Sequence, residues 1–393
     1  MSMRIAIAGG GLVGASLALA LAEGGALARG WHITLIEPHA PGDSFQPSYD
    51  ARSSALSWGS RLLFEQLNFW SLLAPRAEPI TDIHVSEQGR LAATRLAAIE
   101  EGVPALGYVV ENAWLGHCLW QRLHAYPTIE WRCPTRVTAA HPFAEGYQLT
   151  LDNGETLACD VLILADGGRS DLRQQLGINV RSTPYGQTAI IANVSTASPH
   201  NGQAFERFTP HGPMAFLPLS EQRCALVWTR PHEDAQRLLA LDAKAFLAEL
   251  QHTFGYRLGR LTQVGARHSY PLVLHEASEQ VRSNLVVLGN AAHGLHPVAG
   301  QGFNLSLRDV MALSDTLLSS ETPTHFSTLQ RYAARQHLDQ TLTIGFSDKV
   351  TRVFSNANPW LGHGRRLGLL AMELCPPARH AFARQAMGLG ARP

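Results

Sequence analysis

The stretch from Arg4 to Glu37 sets the terms for the rest of the chain. Arg4-Ile-Ala-Ile-Ala8 reads as a short buried strand, Gly9-Gly-Gly-Leu-Val-Gly14 as a tight turn, and Ala15 to Glu23 as a helix of small residues. His32-Ile-Thr-Leu-Ile36 makes a second strand, and an acid, Glu37, stands at its end. Each part meets a need of a bound dinucleotide. Gly9 permits the sharp turn, Gly11 lets the backbone approach a pyrophosphate, and Gly14 lets the helix pack closely on the strand. The helix start faces the phosphates with unpaired N–H groups and the positive end of its dipole. Glu37 is placed to accept hydrogen bonds from an adenosine ribose. A glycine triplet alone is weak evidence, whereas strand, turn, helix, strand and acid in this order are specific. Arg4 followed by an apolar run also resembles a secretory signal or a short membrane span. The consecutive glycines, and the direct run into a β-rich segment closed by an acid, argue against both.

At 393 residues the chain has room for two or more domains, or for one large nucleotide-binding domain carrying an inserted one. With 45% hydrophobic and 16% charged residues it can bury a large core. Lys+Arg and Asp+Glu balance at 32 each, so no global field draws the chain to nucleic acid. The cysteines, Cys118, Cys133, Cys159, Cys224 and Cys375, are scattered without a C-x-x-C pair, which suits free, mostly structural thiols in a reducing, cytoplasmic compartment. The 18 histidines form no H-E-x-x-H, and no metal-ligand cluster stands out. No uninterrupted apolar run is long enough to span a bilayer, so the expected location is cytoplasmic, peripheral on the inner face of the membrane at most.

The expected organisation is an α/β chain with a Rossmann-like nucleotide-binding domain in three parts, 1–79, 101–184 and 268–323. An excursion at 80–100, where Ile80 to Leu96 alternates like strand, and the segment 185–267 form a mostly antiparallel β substrate domain. Residues 324–393 are helical. Within this frame Tyr108 to Tyr126 reads as a helix with Leu115, Leu119 and Leu123 on one face. Thr128 to Val137, Tyr147 to Leu151 and Thr156 to Leu164 read as strands, with turns around His141-Pro142 and at Asp152-Asn-Gly154. One helix, Asp242 to Phe254, interrupts the substrate domain. Asn284 to Leu288 is a further buried strand, and a helix follows from about Leu305 to Leu318.

Two more strand ends carry chemistry. Leu162-Ile-Leu-Ala-Asp-Gly167 puts Asp166 at the carboxyl end of a buried strand, where open α/β sheets bind ligands, although Asp-Gly turns are common. Gly289-Asn290-Ala-Ala-His293 through Gly300-Gln-Gly-Phe-Asn304 again presents backbone N–H groups at a helix start. Three strand ends can therefore converge on one extended cofactor. Arg52 lies in a polar loop one crossover away, where a guanidinium can serve that cofactor. In the substrate domain, Phe216, Pro218 and Trp228 are candidates, with Pro297, for the wall of a lipophilic pocket; plain core is the competing reading. From Trp360 onward five arginines (Arg365, Arg366, Arg379, Arg384, Arg392) face one acid, Glu373. This basic amphipathic stretch suits an anionic membrane surface or a partner protein, or else a helix packed on its own protein with an arginine-rich outer face.

Taken together, the first fingerprint, the Asp166-Gly167 strand end and the Gly289 to Asn304 run resemble the hallmarks of single-component FAD-dependent aromatic hydroxylases. Within that class the chain looks like the ubiquinone-biosynthesis hydroxylases, and most like those acting on 2-polyprenyl-6-methoxyphenol. The closer match rests on Glu206-Arg-Phe-Thr-Pro-His-Gly-Pro213, Gly289-Asn290, Gly300-Gln-Gly-Phe-Asn304 and Ala371-Met-Glu-Leu-Cys-Pro-Pro-Ala-Arg379, and runs nearly end to end. The resemblance implies a p-hydroxybenzoate hydroxylase-like fold with FAD as cofactor. Gly9, Gly11, Gly14 and Glu37 would hold its adenosine diphosphate half, with Arg52 nearby. Asp166 would touch FAD and the site of a transient NAD(P)H. Gly289 and Asn290 would reach the ribityl chain, Asn290 replacing the Asp usual in the wider class. Pro297, Gly300, Gly302 and Asn304 would line the isoalloxazine ring.

The implied reaction is hydroxylation of a polyprenylated phenol to the 1,4-benzoquinol with O2, through a C4a-hydroperoxyflavin. The flavin carries that chemistry, which fits the absence of a Ser/His/Asp triad or a carboxylate pair, and no side chain is assigned as catalytic. The implied partners are the phenol, O2, other ubiquinone-biosynthesis proteins and a membrane surface. Hydroxylation at another ring position or of another phenol is the nearest alternative. An NAD-dependent dehydrogenase would share Gly9 to Glu37 without needing the Gly289 to Asn304 run, and a non-catalytic flavoprotein subunit would bind flavin without turnover.

Overall fold

A computed structural model describes residues 3–40, 52–89, 93–168, 170–295, 300–354 and 375–390. Its organising layer is a six-stranded sheet. Strand Arg4–Ala8 sits in the middle, parallel to His32–Ile36 on one side and to Val161–Leu164 on the other. Ile129–Arg132 and Leu285–Val287 extend it in parallel, and Val281–Arg282 closes one edge antiparallel. Successive side chains of a strand point to opposite faces, and here both faces are covered. Ile5 and Ile7 face a core shared with helices Leu12–Glu23, Asn112–Leu123 and Gln301–Leu318, whereas Ala6 and Ala8 face a three-stranded antiparallel sheet. Ile7 is fully buried, a contribution of about 1.5–3 kcal/mol for a side chain of this size. The small face of the strand is what lets the second sheet approach.

The second large layer is a nine-stranded, mostly antiparallel sheet built on the long strand Val180–Thr196. Asp82–Glu87 and Ala93–Ala97 join its far edge, Asp82–Glu87 running parallel to Gln203–Thr209. One face of this sheet buries Ile190, Phe216, Leu226 and Trp228 against helices His232–Ala240 and Ala243–Phe254. A small sheet of Ser53–Ser57, Glu78–Ile80 and Gly107–Glu111 stands between the two layers.

Several element boundaries differ from the sequence reading. The first helix starts at Leu12, directly after Gly11, and the later one at Gln301, directly after Gly300. Tyr108 to Glu111 is strand, and its helix begins only at Asn112, because Val109 and Val110 are buried in the small sheet. Val137–Phe143 runs through His141-Pro142, which is paired strand and not a turn. Thr156 to Leu164 splits at Asp160 into two strands of different sheets, and Asp160 accepts from the Arg4 backbone N–H at 2.7 Å. The nine-stranded sheet carries a second helix, His232–Ala240. Asp242 does cap the expected one, accepting from the Ala245 N–H at 2.7 Å.

At the carboxyl-terminal end, helix Phe326–Phe354 is followed by Pro376–Ala386. The latter packs on its own protein: Ala383 and Met387 are buried with Leu96 and Leu106, and Arg379 reaches Glu100 at 3.3 Å. The remaining arginines of the tail, apart from Arg384, lie outside the described residues. No described helix is long and apolar enough to cross a membrane.

Candidate active site

The first strand end is built from bare backbone. Gly9 turns the chain at φ 105°, with its N–H donating to the Ile36 carbonyl at 2.8 Å, and a Cβ there would stand 2.5 Å from the Ala165 oxygen. A Cβ on Gly14 would lie 1.9 Å from the Gly9 oxygen, so the helix can approach its strand only with glycine at this position. The helix N-cap, Gly11, brings no side-chain acceptor, and the first turn holds no acid. Its leading N–H groups and the positive end of its dipole therefore face whatever lies ahead of the turn. Glu37, 6% exposed, accepts from Gly10 N at 2.8 Å and His39 N at 3.1 Å. Its carboxylate thus ties the glycine turn to the end of the second strand.

The second strand end meets the first at Gly9, whose place for a Cβ is taken by Ala165 and Asp166. Asp166 stays open at the mouth of the cleft, yet the surrounding protein pushes its carboxyl up to about 6, against a hydrogen bond from Ser170 Oγ at 2.7 Å and the nearby Arg173. Ser170 Oγ in turn caps the short helix Asp171–Gln175, accepting from Arg173 N at 3.0 Å. Arg173 is a residue the sequence reading passed over. It is 7% exposed, and its guanidinium donates to Ala291 O at 2.5 Å and Gly168 O at 3.0 Å, joining the second strand end to the third. An arginine one turn after a Ser-Asp helix start was visible; its burial was not.

The third strand end lies over the first helix, with Val13 3.0 Å from where a Gly289 Cβ would be. Asn290 is exposed, and its side chain has no hydrogen-bond partner among the described residues. Behind it His293 Nε2 meets Asp309 Oδ2 at 2.8 Å, both buried, while Asp309 Oδ1 accepts from Gln336 and Gln340, each at 2.9 Å. Pro297 lies outside the described residues. Gly300 is the N-cap of helix Gln301–Leu318, again without a side-chain cap, and nothing stands within 4 Å of a Cβ placed on Gly302.

Asn304 plays a different part from Asn290. Its Oδ1 accepts from Ser57 N at 2.9 Å and Ser60 Oγ at 2.6 Å, and its Nδ2 donates to Ala55 O at 2.8 Å and Gly300 O at 2.7 Å. All four positions are used, so the side chain pins the Gly300 turn to strand Ser53–Ser57. Arg52, at the start of that strand, lies over the Tyr270 ring of the nine-stranded sheet at 5.1 Å. These residues fit an extended flavin dinucleotide. Two uncapped helix starts face the cleft, glycine leaves the pyrophosphate's approach open, and the free Asn290 amide can meet a polar chain between them.

Next to Gly300 an apolar cavity of about 190 Å³ opens between the two layers. Ala55 and Gly300 bound it on one side, Ala215, Leu217 and Val227 on the nine-stranded sheet, and Phe382 on the last helix. Phe216, Pro218 and Trp228 are not on this wall. Alternation turns them to the other face of the sheet, where Phe216 packs on Phe254 at 4.2 Å and Trp228 on Phe246 at 5.7 Å. The wall is made by their immediate neighbours in sequence. Among the described lining residues only Glu206 is ionisable.

A glycine turn, two further strand ends and an apolar cavity against Gly300 suit a flavin-dependent monooxygenase, and similarity to known proteins shows that class. A family model described as FAD binding domain matches residues 2–343. The ubiquinone hydroxylase UbiL of Rhodospirillum rubrum is 38% identical over 98% of this chain and 89% of its own length. The 3-demethoxyubiquinol 3-hydroxylase of Escherichia coli is 35% identical, with 98% of each chain covered. Among solved structures, Pseudomonas aeruginosa PqsL in complex with 2-aminobenzoylacetate superposes with a TM-score of 0.78 at 21% identity, over 92% of this chain and 99% of that one. A single-residue variant of Klebsiella pneumoniae HpxO complexed with FAD gives 0.78 at 17% identity, over 99% of both. The chain belongs to the FAD-dependent hydroxylases of ubiquinone biosynthesis, and is an aromatic monooxygenase that uses FAD with NAD(P)H and O2.

Proposed function

We propose that this monooxygenase hydroxylates the ring of a 2-polyprenyl-6-methoxyphenol to the 1,4-benzoquinol. The observation that carries the reading is the apolar cavity against Gly300, walled by aliphatic and aromatic side chains of both layers. When bound, FAD reduced by NAD(P)H supplies the activated oxygen. The chain's own residues do the rest. The helix starts at Leu12 and Gln301 offer N–H donors to the cofactor. Gly9 makes the turn and Gly14 seats the helix on its strand, Gly11 leaves the pyrophosphate's approach open, and Glu37 and Arg52 border the cofactor's adenosine and flavin ends. Asp166 and Asn290 present polar atoms to the middle of the cofactor, while Asn304 fixes the turn that carries Gly300 and Gly302. Leu217, Val227 and Phe382 enclose the ring and exclude water, which would otherwise intercept the oxygen. A polyprenylated ring comes from a bilayer, so the chain works peripherally, on the cytoplasmic face of the membrane and beside other enzymes of the pathway.

A second reading, oxidation at a neighbouring ring position, is favoured by the name of the E. coli relative. One experiment tests both. The purified holoprotein is given NADPH and O2 with and without a short-chain 2-prenyl-6-methoxyphenol. The expected result is substrate-stimulated oxygen uptake and a product heavier by one oxygen, with ring-proton NMR showing which carbon has reacted. Bound flavin without stimulation rejects the substrate, and a product substituted elsewhere on the ring selects the second reading.

A further inference from the structure

Glu206 sits on strand Gln203–Thr209 and lines the cavity among apolar neighbours, including Val85, which is paired opposite it, and Phe205. The other polar side chains of the lining are committed to the protein. Asn304 is fully bonded, Ser57 Oγ holds Ser60, and Gln301 donates to Ala386 O at 3.3 Å. The Glu206 carboxyl has no hydrogen-bond or ion-pair partner among the described residues, although an acid so placed costs stability unless something meets it. A hydrophobic chain brings no such partner. A ring hydroxyl does.

From this juxtaposition we propose that Glu206 is the catalytic base of the cavity, taking the proton of the substrate's ring hydroxyl. The assignment rests on the reading of a phenol as substrate. The phenol O–H bond breaks as an O–H bond forms on the Glu206 carboxylate, and the pair left on oxygen raises electron density at the ring carbons. One of these carbons forms its C–O bond with the oxygen delivered by the monooxygenase. The ring carbon's proton goes to the second oxygen atom of O2, which leaves as water, and return of the Glu206 proton to the ring oxygen restores the aromatic diol and the carboxylate. Burial pushes the Glu206 carboxyl up to about 8. That brings it closer to a phenol, ordinarily about 10 for an unperturbed ring hydroxyl such as that of tyrosine, than an exposed carboxylate would be.

The test uses holoenzyme with Glu206, Glu206→Gln and Glu206→Asp, titrated with 2-prenyl-6-methoxyphenol and its O-methyl ether from pH 6 to 9.5, alongside product formation. Wild type is expected to bind the phenol at least about tenfold tighter than the ether, one well-placed hydrogen bond to a charged group. Its turnover should climb as pH rises through about 8, where the carboxyl loses its proton. Glu206→Gln should lose both the preference and the climb while keeping its flavin, and Glu206→Asp should regain part of each. Folding is read separately. An acid whose proton is held more tightly in the fold destabilises it as pH rises from its unfolded to its folded pKa, so Glu206→Gln should gain stability over wild type progressively from about pH 4.5 to about 8 and keep that gain above it. A Glu206→Gln holoenzyme that keeps the preference and the pH profile overturns the assignment alone. A wild-type protein that binds no phenol overturns the substrate reading together with it.

Discussion

The glycine turn after the first strand and the apolar cavity against Gly300 are made in opposite ways. At the turn the working atoms are backbone: N–H groups at a helix start that Gly11 leaves uncapped, on a turn that Gly9 makes and a helix that Gly14 brings onto its strand. In the cavity the working surface is side chain, set by which residues of a strand happen to face inward. A backbone site tolerates no added atom, and a side-chain site tolerates replacement so long as volume and polarity are kept. Substitutions should therefore separate cofactor retention from substrate handling.

The largest effect is expected at Gly14. Gly14→Val places carbon where the Gly9 oxygen already stands, so the helix must move off its strand. Flavin retention, read as the ratio of flavin to protein absorbance after purification, should fall to background. A yellow Gly14→Val protein would break the distinction at its root. Next comes Asp309, whose two oxygens hold His293, Gln336 and Gln340 in the interior. Asp309→Ala takes that acceptor from His293 and Gln336 and leaves Gln340 only its bonds with Gln280, and is expected to cost about 3–5 kcal/mol in urea unfolding of the holoprotein. A loss under about 1 kcal/mol would mean that water or rearrangement replaces the carboxylate.

Neighbours on one strand give the sharpest comparison. Phe216 is fully buried under the helices and Leu217 borders the cavity. Phe216→Ala should cost about 3–5 kcal/mol of stability. It should leave the KM for the prenylated phenol near that of wild type. Leu217→Ala should do the reverse, raising KM several-fold with a small change in unfolding midpoint. If both substitutions act alike, the face assignment is wrong.

The same pair shows what a sequence can and cannot disclose. Arg4–Ala8 and His32–Ile36 are legible because glycine turns and buried strands have local signatures, and these strands need no register to be recognised. Which of Phe216 and Leu217 faces a ligand depends on what covers each side of the sheet, and helices His232–Ala240 and Ala243–Phe254 decide that from elsewhere in the chain. Asp160 divides what looked like one strand because its partner, Arg4, is distant in sequence. Arg173 and Glu206 were in plain view as letters. Arg173 is buried with partners and Glu206 half-buried with none among the described residues, and no local pattern encodes that.

The smallest expected effect concerns the cover of the cavity. Helix Pro376–Ala386 contributes Phe382 to the wall, packed on Phe346 at 5.7 Å, and is held at its outer side by Arg379 to Glu100 at 3.3 Å and His380 to Glu101 at 2.7 Å. Glu100 is largely exposed, so the Arg379 pair is worth about 0–1 kcal/mol, and Arg379→Ala should barely move the unfolding transition. A looser cover nonetheless admits water to a reaction that must exclude it. The product formed per NADPH consumed should therefore drop measurably while flavin content stays at the wild-type level. Unchanged coupling would place the water barrier in the aliphatic wall of the sheet and leave the helix a purely structural lid on it.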